Sequence, residues 1–256
     1  MKTLLRCSAL FFFVSVSAFA FAAPARAATT RVEVRALLVN GIHTETGSTS
    51  TVAAQVVPML EITTSEKRWA FSAEATSSLG SRAIVATSGF NPGPTSVRLS
   101  NLNAVVRYRL NSATSLGIGE TIYNQASIYD QNIPFGEPYA EASRVVGARF
   151  EIRREFYATA HSRWNADLAV NPHLSASLVE YEPSNDADGD EGIIRATPEA
   201  GSQVDVSIEN RVSNKRYSLT YGLRYINLSM YFPYHELADR NAFVIPFVGI
   251  ARSFGS

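Results

Sequence analysis

Hydrophobic and polar residues alternate along most of the chain, and the segment Tyr217–Tyr225 shows the pattern most plainly. Tyrosines and leucines occupy its odd-numbered positions, and Ser, Thr, Gly and Arg occupy the even-numbered ones. Successive side chains of a β-strand point to opposite faces, so this period of two predicts a strand with one apolar and one polar face. The question is whether the apolar face meets a protein core or lipid.

The same alternation predicts about ten strands along the chain. They are Arg31–Leu38, Thr51–Ile62, Arg68–Thr76, Leu102–Leu110, Leu116–Ile128, Val146–Arg153, Phe156–Leu168, Val204–Val212, Tyr217–Tyr225 and Phe243–Phe254. Two further stretches, Arg82–Thr87 and Leu174–Tyr181, are candidates to extend or add strands.

The connections between these strands alternate in length. Long polar loops follow the odd-numbered strands, and turns of about four residues follow the even-numbered ones, within the usual range for hairpins. The strands exceed the common length of about five or six residues and suit a tilted crossing of an apolar band about 25 Å tall. The pattern therefore predicts one all-β domain, an antiparallel up-and-down transmembrane β-barrel over residues 28–256.

The polar faces carry many charged residues, which a barrel would place in its lumen. The predicted lumen charge network comprises Glu33, Arg35, Glu74, Arg107, Arg109, Arg149, Glu151, Arg163, Asp167, Asp205, Glu209, Arg211 and Arg224. Glu61 and Arg153 lie on the same polar faces. A barrel of about ten strands is narrow, so opposite charges could pair and plug the lumen or could line a selective pore for small solutes. A soluble β-sandwich would instead turn these charges to water.

Aromatic residues on the apolar faces favour the membrane interpretation. Trp69, Tyr108, Phe156 and Tyr217 each lie close to a predicted short turn, where amphipathic rings would form a belt at the membrane interface. The residues predicted to face lipid are Trp69, Phe71, Tyr108, Phe156, Trp164, Tyr217, Tyr221 and Tyr225.

The N-terminus predicts export. A basic start is followed by an apolar run from Ala9 to Ala23 and by Ala25-Arg26-Ala27, which is the arrangement of a cleaved signal peptide over residues 1–27. Cys7, the single cysteine, would leave with the signal, so the mature chain can form no disulfide. Removing three of 23 basic residues against 23 acidic residues leaves a weakly acidic chain, which argues against nucleic acid as a partner.

Together, these features resemble bacterial outer-membrane β-barrel proteins: a signal peptide, alternating strands, short turns at one end, long loops at the other and a last strand ending at Phe254. The resemblance is architectural and identifies no individual family. It implies residence in the outer membrane, contact with membrane lipid and assembly by the outer-membrane insertion machinery. It also implies periplasmic short turns and extracellular long loops. Such chains usually end on an aromatic residue, whereas Gly255 and Ser256 follow here.

Three residues and one change of pattern conflict with a regular barrel. Pro58 and Pro246 lie within predicted strands and cannot donate to a β-ladder, so each requires a bulge or a local gap. Glu120 falls on the lipid-facing side unless Gly117 or Gly119 hosts a bulge. After Tyr225 the apolar residues change to even-numbered positions, which predicts a bulge or the edge of the membrane there.

The chain carries no recognisable catalytic, cofactor or metal motif. His161 and Asp167 share a predicted strand but lie about 20 Å apart at six residues of separation, and the remaining histidines are His43, His173 and His235. The acidic loop Asn185–Glu191 resembles the start of a calcium loop without its later ligands, so it is either solvated or a weak divalent-cation site.

We therefore expect a structural role or a narrow pore and no enzymatic activity or cofactor, with small solutes or extracellular ligands as possible partners. The alternatives are an enzyme or ligand-binding barrel acting at the extracellular rim, and a soluble exported β-sandwich that binds carbohydrate or protein.

Overall fold

The structure is a computed structural model that describes residues 28–45, 48–77, 86–88, 96–129, 139–181, 193–196, 200–214, 217–232 and 237–255. The predicted signal peptide, the acidic loop and His235 lie outside these residues. The described part includes no helix long and apolar enough to cross a membrane.

Thirteen strands in the described part of the chain form one antiparallel sheet. They are β1 (Thr29–Glu45), β2 (Ser48–Glu66), β3 (Trp69–Ser77), β4 (Ala86–Ser88), β5 (Ser96–Arg109), β6 (Thr114–Tyr129), β7 (Tyr139–Ala158), β8 (Ser162–Asn171), β9 (Ser175–Tyr181), β10 (Ile193–Ala196), β11 (Ala200–Ser213), β12 (Tyr217–Phe232) and β13 (Leu237–Phe254).

Ten of these strands close into a ring. The order β7-β6-β5-β3-β2-β1-β13-β12-β11-β8 is completed by pairing of β8 with β7, in which Ile152 lies opposite Leu168. The predicted ten-stranded barrel is confirmed, and the soluble sandwich alternative is wrong because a sandwich keeps two separate sheets. Closure also leaves no unpaired strand edge along the ring. Lipid could not satisfy the backbone N–H and C=O groups of such an edge.

The short turns lie at one rim of the barrel. The start of the first strand and the end of the last strand lie at the same rim. The turns β2–β3, β5–β6, β7–β8 and β11–β12 are here, and Thr30 of the first strand pairs with Phe254 of the last. The β5–β6 turn is held by Asn111, whose side-chain oxygen accepts hydrogen bonds from the backbone N–H groups of Ala113 at 2.9 Å and Thr114 at 2.8 Å. Asparagine commonly holds turns in this way.

One predicted turn is wrong. The sequence placed it at residues 153–155, but β7 continues to Ala158 and the turn lies between Ala158 and Ser162. A register shift between Glu155 and Tyr157 disturbs the alternation of apolar and polar residues on β7. The consecutive charged residues before it made this part of the strand resemble a turn. Phe156 is therefore at the end of β7 rather than at the start of β8.

The strands also extend further toward the opposite rim than predicted. β1 and β2 reach Glu45 and Ser48, into a segment predicted to be a loop. β4 overlaps the candidate stretch 82–87, and β9 overlaps the candidate stretch 174–181. These strands add pairings of β4 with β2, of β9 with β7 and of β10 with β9 beyond the closed ring.

Both prolines lie where strand pairing is interrupted. Pro246 on β13 falls in a gap of the β1–β13 ladder, between the pairs Leu37–Phe247 and Asn40–Val244. Pro58 on β2 lies one residue beyond the end of the β2–β3 pairing at Met59. Each proline therefore lacks a paired residue on one side, while Ala36 remains opposite Pro58 and Leu223 remains opposite Pro246 on the other.

The outward face of the barrel is apolar. Its exposed large side chains include Val34, Leu38, Val56, Leu60, Ile118, Phe150, Ile208, Leu219, Val248 and Ile250. Glu120 also lies on this face and is exposed, because β6 pairs with β5 and β7 without any register shift. The bulge considered at Gly117 or Gly119 is absent from these two ladders.

The change of pattern after Tyr225 does not come from a bulge, which was one of the two explanations predicted. β12 pairs with β11 and β13 without a register shift, and Tyr225 and Tyr231 remain exposed. Ile226, Leu228 and Met230 are buried and belong to the inner face. The inner face itself turns from polar to apolar there, so the apolar residues switch positions without any bulge.

A cluster of buried apolar residues therefore fills the half of the lumen nearer the long loops. It consists of Leu37, Val39, Val57, Met59, Tyr123, Val145, Leu174, Ile226, Leu228, Met230, Phe243, Ile245 and Phe247. We call it the apolar layer. Leu174 enters it from a one-residue bulge between β8 and β9, where its N–H donates to the carbonyl oxygen of Gly201 at 2.9 Å.

Candidate functional site

Between the apolar layer and the short-turn rim, the lumen holds a network of ion pairs, which we call the charge layer. Within the described residues it contains seven arginines and seven acids, so its formal charges balance. The members are Arg31, Arg35, Arg107, Arg149, Arg153, Arg211, Arg224, Glu33, Glu61, Glu74, Glu151, Asp167, Asp205 and Glu209. They come from the inward positions of eight strands, which the period of two aligns on one face.

Arg35 on β1 connects three acids. Its Nε donates to Glu33 Oε1 at 2.7 Å, and its Nη2 donates to Glu33 Oε2 at 3.2 Å. Nη2 also donates to Glu61 at 2.7 Å and to Glu209 at 3.1 Å. The guanidinium carbon lies 4.8 Å from the ring centre of Phe247. The planar donors of arginine suit such a junction, because they reach several carboxylates at once.

A second junction forms around Asp205 on β11. Arg224 donates to both of its oxygens, from Nε at 2.9 Å and from Nη2 at 2.6 Å, and Arg149 donates from Nη2 at 2.8 Å. The remaining Nη1 of Arg224 reaches Glu74 across the lumen at 2.6 Å. Glu74 also accepts a hydrogen bond from Asn103 at 3.1 Å. This junction ties β3 and β5 to β7, β11 and β12.

Glu209 extends the Arg35 junction, and Glu151 extends the Asp205 junction. Glu151 pairs with Arg107 and lies 3.5 Å from Arg149. Glu209 accepts hydrogen bonds from Arg153 and Arg211 in addition to Arg35. Buried charges require this dense pairing, since an unpaired ion in a low-dielectric interior is very costly.

Eleven residues of the predicted network lie in the charge layer, and two do not. Arg109 is exposed at the short-turn rim, and the side chain of Arg163 is 64% exposed, 3.7 Å from Glu155. The alternation places both on the inner face, but it does not report height along the barrel. Arg31, Glu61 and Arg153 complete the layer, although the predicted network omitted them.

Inward glycines make room for the long arginines. A Cβ atom added to Gly249 would lie 2.5 Å from Cγ of Arg35 and 2.9 Å from a carboxylate oxygen of Glu33. Real Cβ atoms do not approach other atoms so closely, so this position on β13 accepts only glycine without movement of Arg35. An inward glycine within a strand was the sequence signal for this contact.

Little open space remains in the charge layer. A cavity of about 40 Å³ lies among its side chains, with Leu37, Met59 and Phe247 of the apolar layer along one side. At about 10–15 Å³ for each water, it has room for about three or four molecules. Two buried atoms without a hydrogen-bond partner, Arg149 Nη1 and Asp167 Oδ1, belong to residues that line this cavity and are candidates to bind such waters.

The predicted lipid-facing aromatic residues occupy outward positions. Trp69, Phe156, Tyr217, Tyr221 and Tyr225 are exposed, and Phe71, Tyr108 and Trp164 are half-buried. Their rings contact one another: the centres of Trp69 and Tyr108 are 4.8 Å apart, and those of Phe156 and Trp164 are 6.3 Å apart. In the β2–β3 turn, Arg68 donates a hydrogen bond to the Tyr108 hydroxyl at 3.3 Å, which raises the pKa of Arg68.

Asn210 is a buried polar residue at an outward position that the sequence analysis missed. It lies between its cross-strand partners Trp164 and Tyr221, whose rings meet edge to face at 6.2 Å. Its amide nitrogen donates to the Tyr221 hydroxyl at 3.1 Å, and its oxygen accepts from the Ser162 hydroxyl at 2.9 Å. These contacts satisfy an amide that lipid could not hydrogen-bond.

Neither His161 nor His173 lies in the charge layer. His161 lies exposed in the β7–β8 turn rather than on the inner face of a strand, because that turn is displaced from its predicted position. His173 is exposed beside the β8–β9 bulge. No group of three potential metal ligands occurs among the described residues.

Comparisons with known proteins identify the fold and no family. No family model matches the chain, and no curated protein matches it. The structure is similar to the outer-membrane protease OmpT from Escherichia coli, with a TM-score of 0.66, 11% sequence identity, and coverage of 88% of this chain and 97% of that one.

Two further similar structures are more distant. The translocator domain of autotransporter NalP from Neisseria meningitidis has a TM-score of 0.43 and 8% identity, covering 99% of this chain and 98% of that one. The Pseudomonas putida toluene transporter TodX has a TM-score of 0.37 and 10% identity, covering 91% of each chain.

The chain therefore has the fold of the bacterial outer-membrane β-barrels. Its closed ring, apolar outer face and polar charge layer agree with that fold.

Proposed function

We propose that the protein is a non-conducting outer-membrane β-barrel with a structural role. Its short turns and termini lie on the periplasmic side, and its long connections lie outside the cell. The observation that carries the proposal is the filling of the lumen at two successive levels, the charge layer and the apolar layer.

The two layers block the lumen in different ways. In the charge layer, junctions such as Arg224 with Asp205 and Glu74 span the lumen and leave a cavity of about 40 Å³. In the apolar layer, Met59, Leu174, Leu228 and Met230 are almost completely buried. A hydrated ion would have to break paired charges and then cross an apolar constriction without water. This arrangement favours the plugged lumen over the narrow pore.

An enzymatic or ligand-binding role at the long-loop rim is the second interpretation from the sequence. The similarity to OmpT, at 11% identity, concerns the fold and transfers no catalytic residues. Such a site would lie at the rim and not in the filled lumen, so the two layers neither require nor oppose it.

Planar-bilayer recordings test the closed lumen. The protein is inserted into neutral lipid after its folding has been verified by the change in gel mobility on heating. An unrelated open porin is the positive control. We expect no conductance steps from this protein at neutral pH. Reproducible steps of constant size from the folded protein would contradict the proposal and favour the narrow pore.

A further inference from the structure

The charge layer is closed toward the apolar layer but accessible from the short-turn rim. Exposure of inward side chains rises in that direction: from 0% at Glu33 to 12% at Arg31, and from 2% at Glu209 to 22% at Arg211. Arg163 is exposed at the rim itself. Water from this side therefore reaches Arg31 and Arg211, which form the floor of a cup in the barrel.

Two cations, Arg31 and Arg211, lie at the floor of this cup. Glu209 is already bound by Arg35 and Arg153 when Arg211 reaches it at 3.2 Å. Glu33 is held by two hydrogen bonds from Arg35 and shared with Arg31. Arg31 and Arg211 therefore bind carboxylates that also bind other arginines.

Both arginines also have donors without a partner. The Nε atoms of Arg31 and Arg211 are buried and hydrogen-bond to no group in the structure. The two side chains converge: Arg31 crosses β13 to donate from Nη2 to the Thr220 hydroxyl on β12 at 3.1 Å, and Thr220 is the cross-strand partner of Arg211.

We propose that Arg31 and Arg211 bind a small tetrahedral oxyanion, phosphate or sulfate, at the floor of the cup. Guanidinium groups bind oxyanions through planar, paired N–H donors. A tetrahedral oxyanion offers two guanidiniums more acceptor oxygens than a carboxylate does, which favours the tetrahedral class. Arg109 adds positive charge at the entrance and attracts anions into the cup, whereas Arg163 there is paired with Glu155. This site is additional to the closed lumen and does not depend on the absence of conductance.

Isothermal titration calorimetry tests the site on the folded full chain in an uncharged detergent. Sodium phosphate is titrated at constant ionic strength with sodium chloride as the background salt. We expect saturable binding of one phosphate, competition by sulfate and weaker binding of acetate. The absence of saturable heat, or acetate binding as tight as phosphate binding, would overturn the proposal.

Variants locate the binding. Arg31→Gln and Arg211→Gln should each weaken phosphate binding at least tenfold, and Arg211→Lys should weaken it less, since it keeps the charge but loses the planar donors. Arg240→Gln, on an exposed residue near the opposite rim, is the matched control and should bind as the parent does. Each variant is checked by its shift on heating. If Arg211→Gln does not fold, Arg211→Lys decides, and unchanged affinity in the folded variant would contradict the site.

Discussion

Replacement of Asp205 by asparagine tests how much the charge layer contributes to stability. Asp205 is 4% exposed, binds Arg224 through two hydrogen bonds and also binds Arg149. Asp205→Asn removes one negatively charged partner from each of the two buried guanidiniums, those of Arg224 and Arg149. Loss of one partner from a buried pair costs about 3–5 kcal/mol, and we expect the free energy of unfolding to fall by that amount.

Glu74→Gln is the comparison that makes this prediction specific. Glu74 binds the same arginine, at 2.6 Å, but its side chain is 18% exposed. Arg224 also keeps both hydrogen bonds to Asp205 in this variant. The expected loss is about 1.5–2 kcal/mol, the lower part of the range for one hydrogen bond to a charged group, because Glu74 is partly exposed. A difference of about 2 kcal/mol between the variants corresponds to roughly a 30-fold difference in unfolding constant.

Equilibrium unfolding by urea in lipid vesicles, followed by tryptophan fluorescence, measures both losses. Both tryptophans of the chain, Trp69 and Trp164, are on the outer face, so their emission reports departure from lipid. The double variant should lose more than the sum of the single losses, because Arg224 then has neither acid. Glu66→Gln, at an exposed carboxyl in the β2–β3 turn, should change stability by less than about 0.5 kcal/mol. A loss for Asp205→Asn no larger than that for Glu74→Gln would refute the reasoning.

The outer face supports two further predictions by the same unfolding measurement. Glu120 is an exposed acid on the lipid-facing side, between Ala104 and Ala148 of the neighbouring strands, so Glu120→Leu should stabilise the barrel by about 1–3 kcal/mol. A loss of stability would instead show that the carboxylate has a favourable partner. Tyr221→Phe should cost about 1–3 kcal/mol because it leaves the buried amide of Asn210 without its acceptor. Tyr225→Phe is the matched outer-face control, and an equal cost there would contradict a specific role for the Asn210 contact.

Much of the barrel could be predicted because alternation is a local property. A strand exposes successive residues to opposite faces whatever its neighbours are. The inward positions of Arg35, Asp205 and Arg224 could therefore be assigned from the sequence alone. The same rule failed near Glu155, where a register shift interrupts the alternation, and it misplaced the following turn and His161.

Partner choice within the charge layer could not be predicted. Arg35 binds Glu209, 174 residues away in the chain, and Arg224 binds Glu74, 150 residues away. Such contacts depend on ring closure and on how far each strand is displaced relative to its neighbours. Alternation specifies the face of a residue and not its height, which is why Arg109 and Arg163 lie at the rim instead of in the network.

The sequence by itself determined an all-β chain of long alternating strands, the residues of their two faces and the side on which the short turns gather. The tertiary structure decided what the faces meet. Apolar residues after Tyr225 have the same composition whether they face lipid or lumen, and the unbroken pairing of β12 assigns Ile226, Leu228 and Met230 to the lumen. The physical reason is that hydrophobicity records removal from water, which a lipid bilayer and a packed barrel interior achieve equally well.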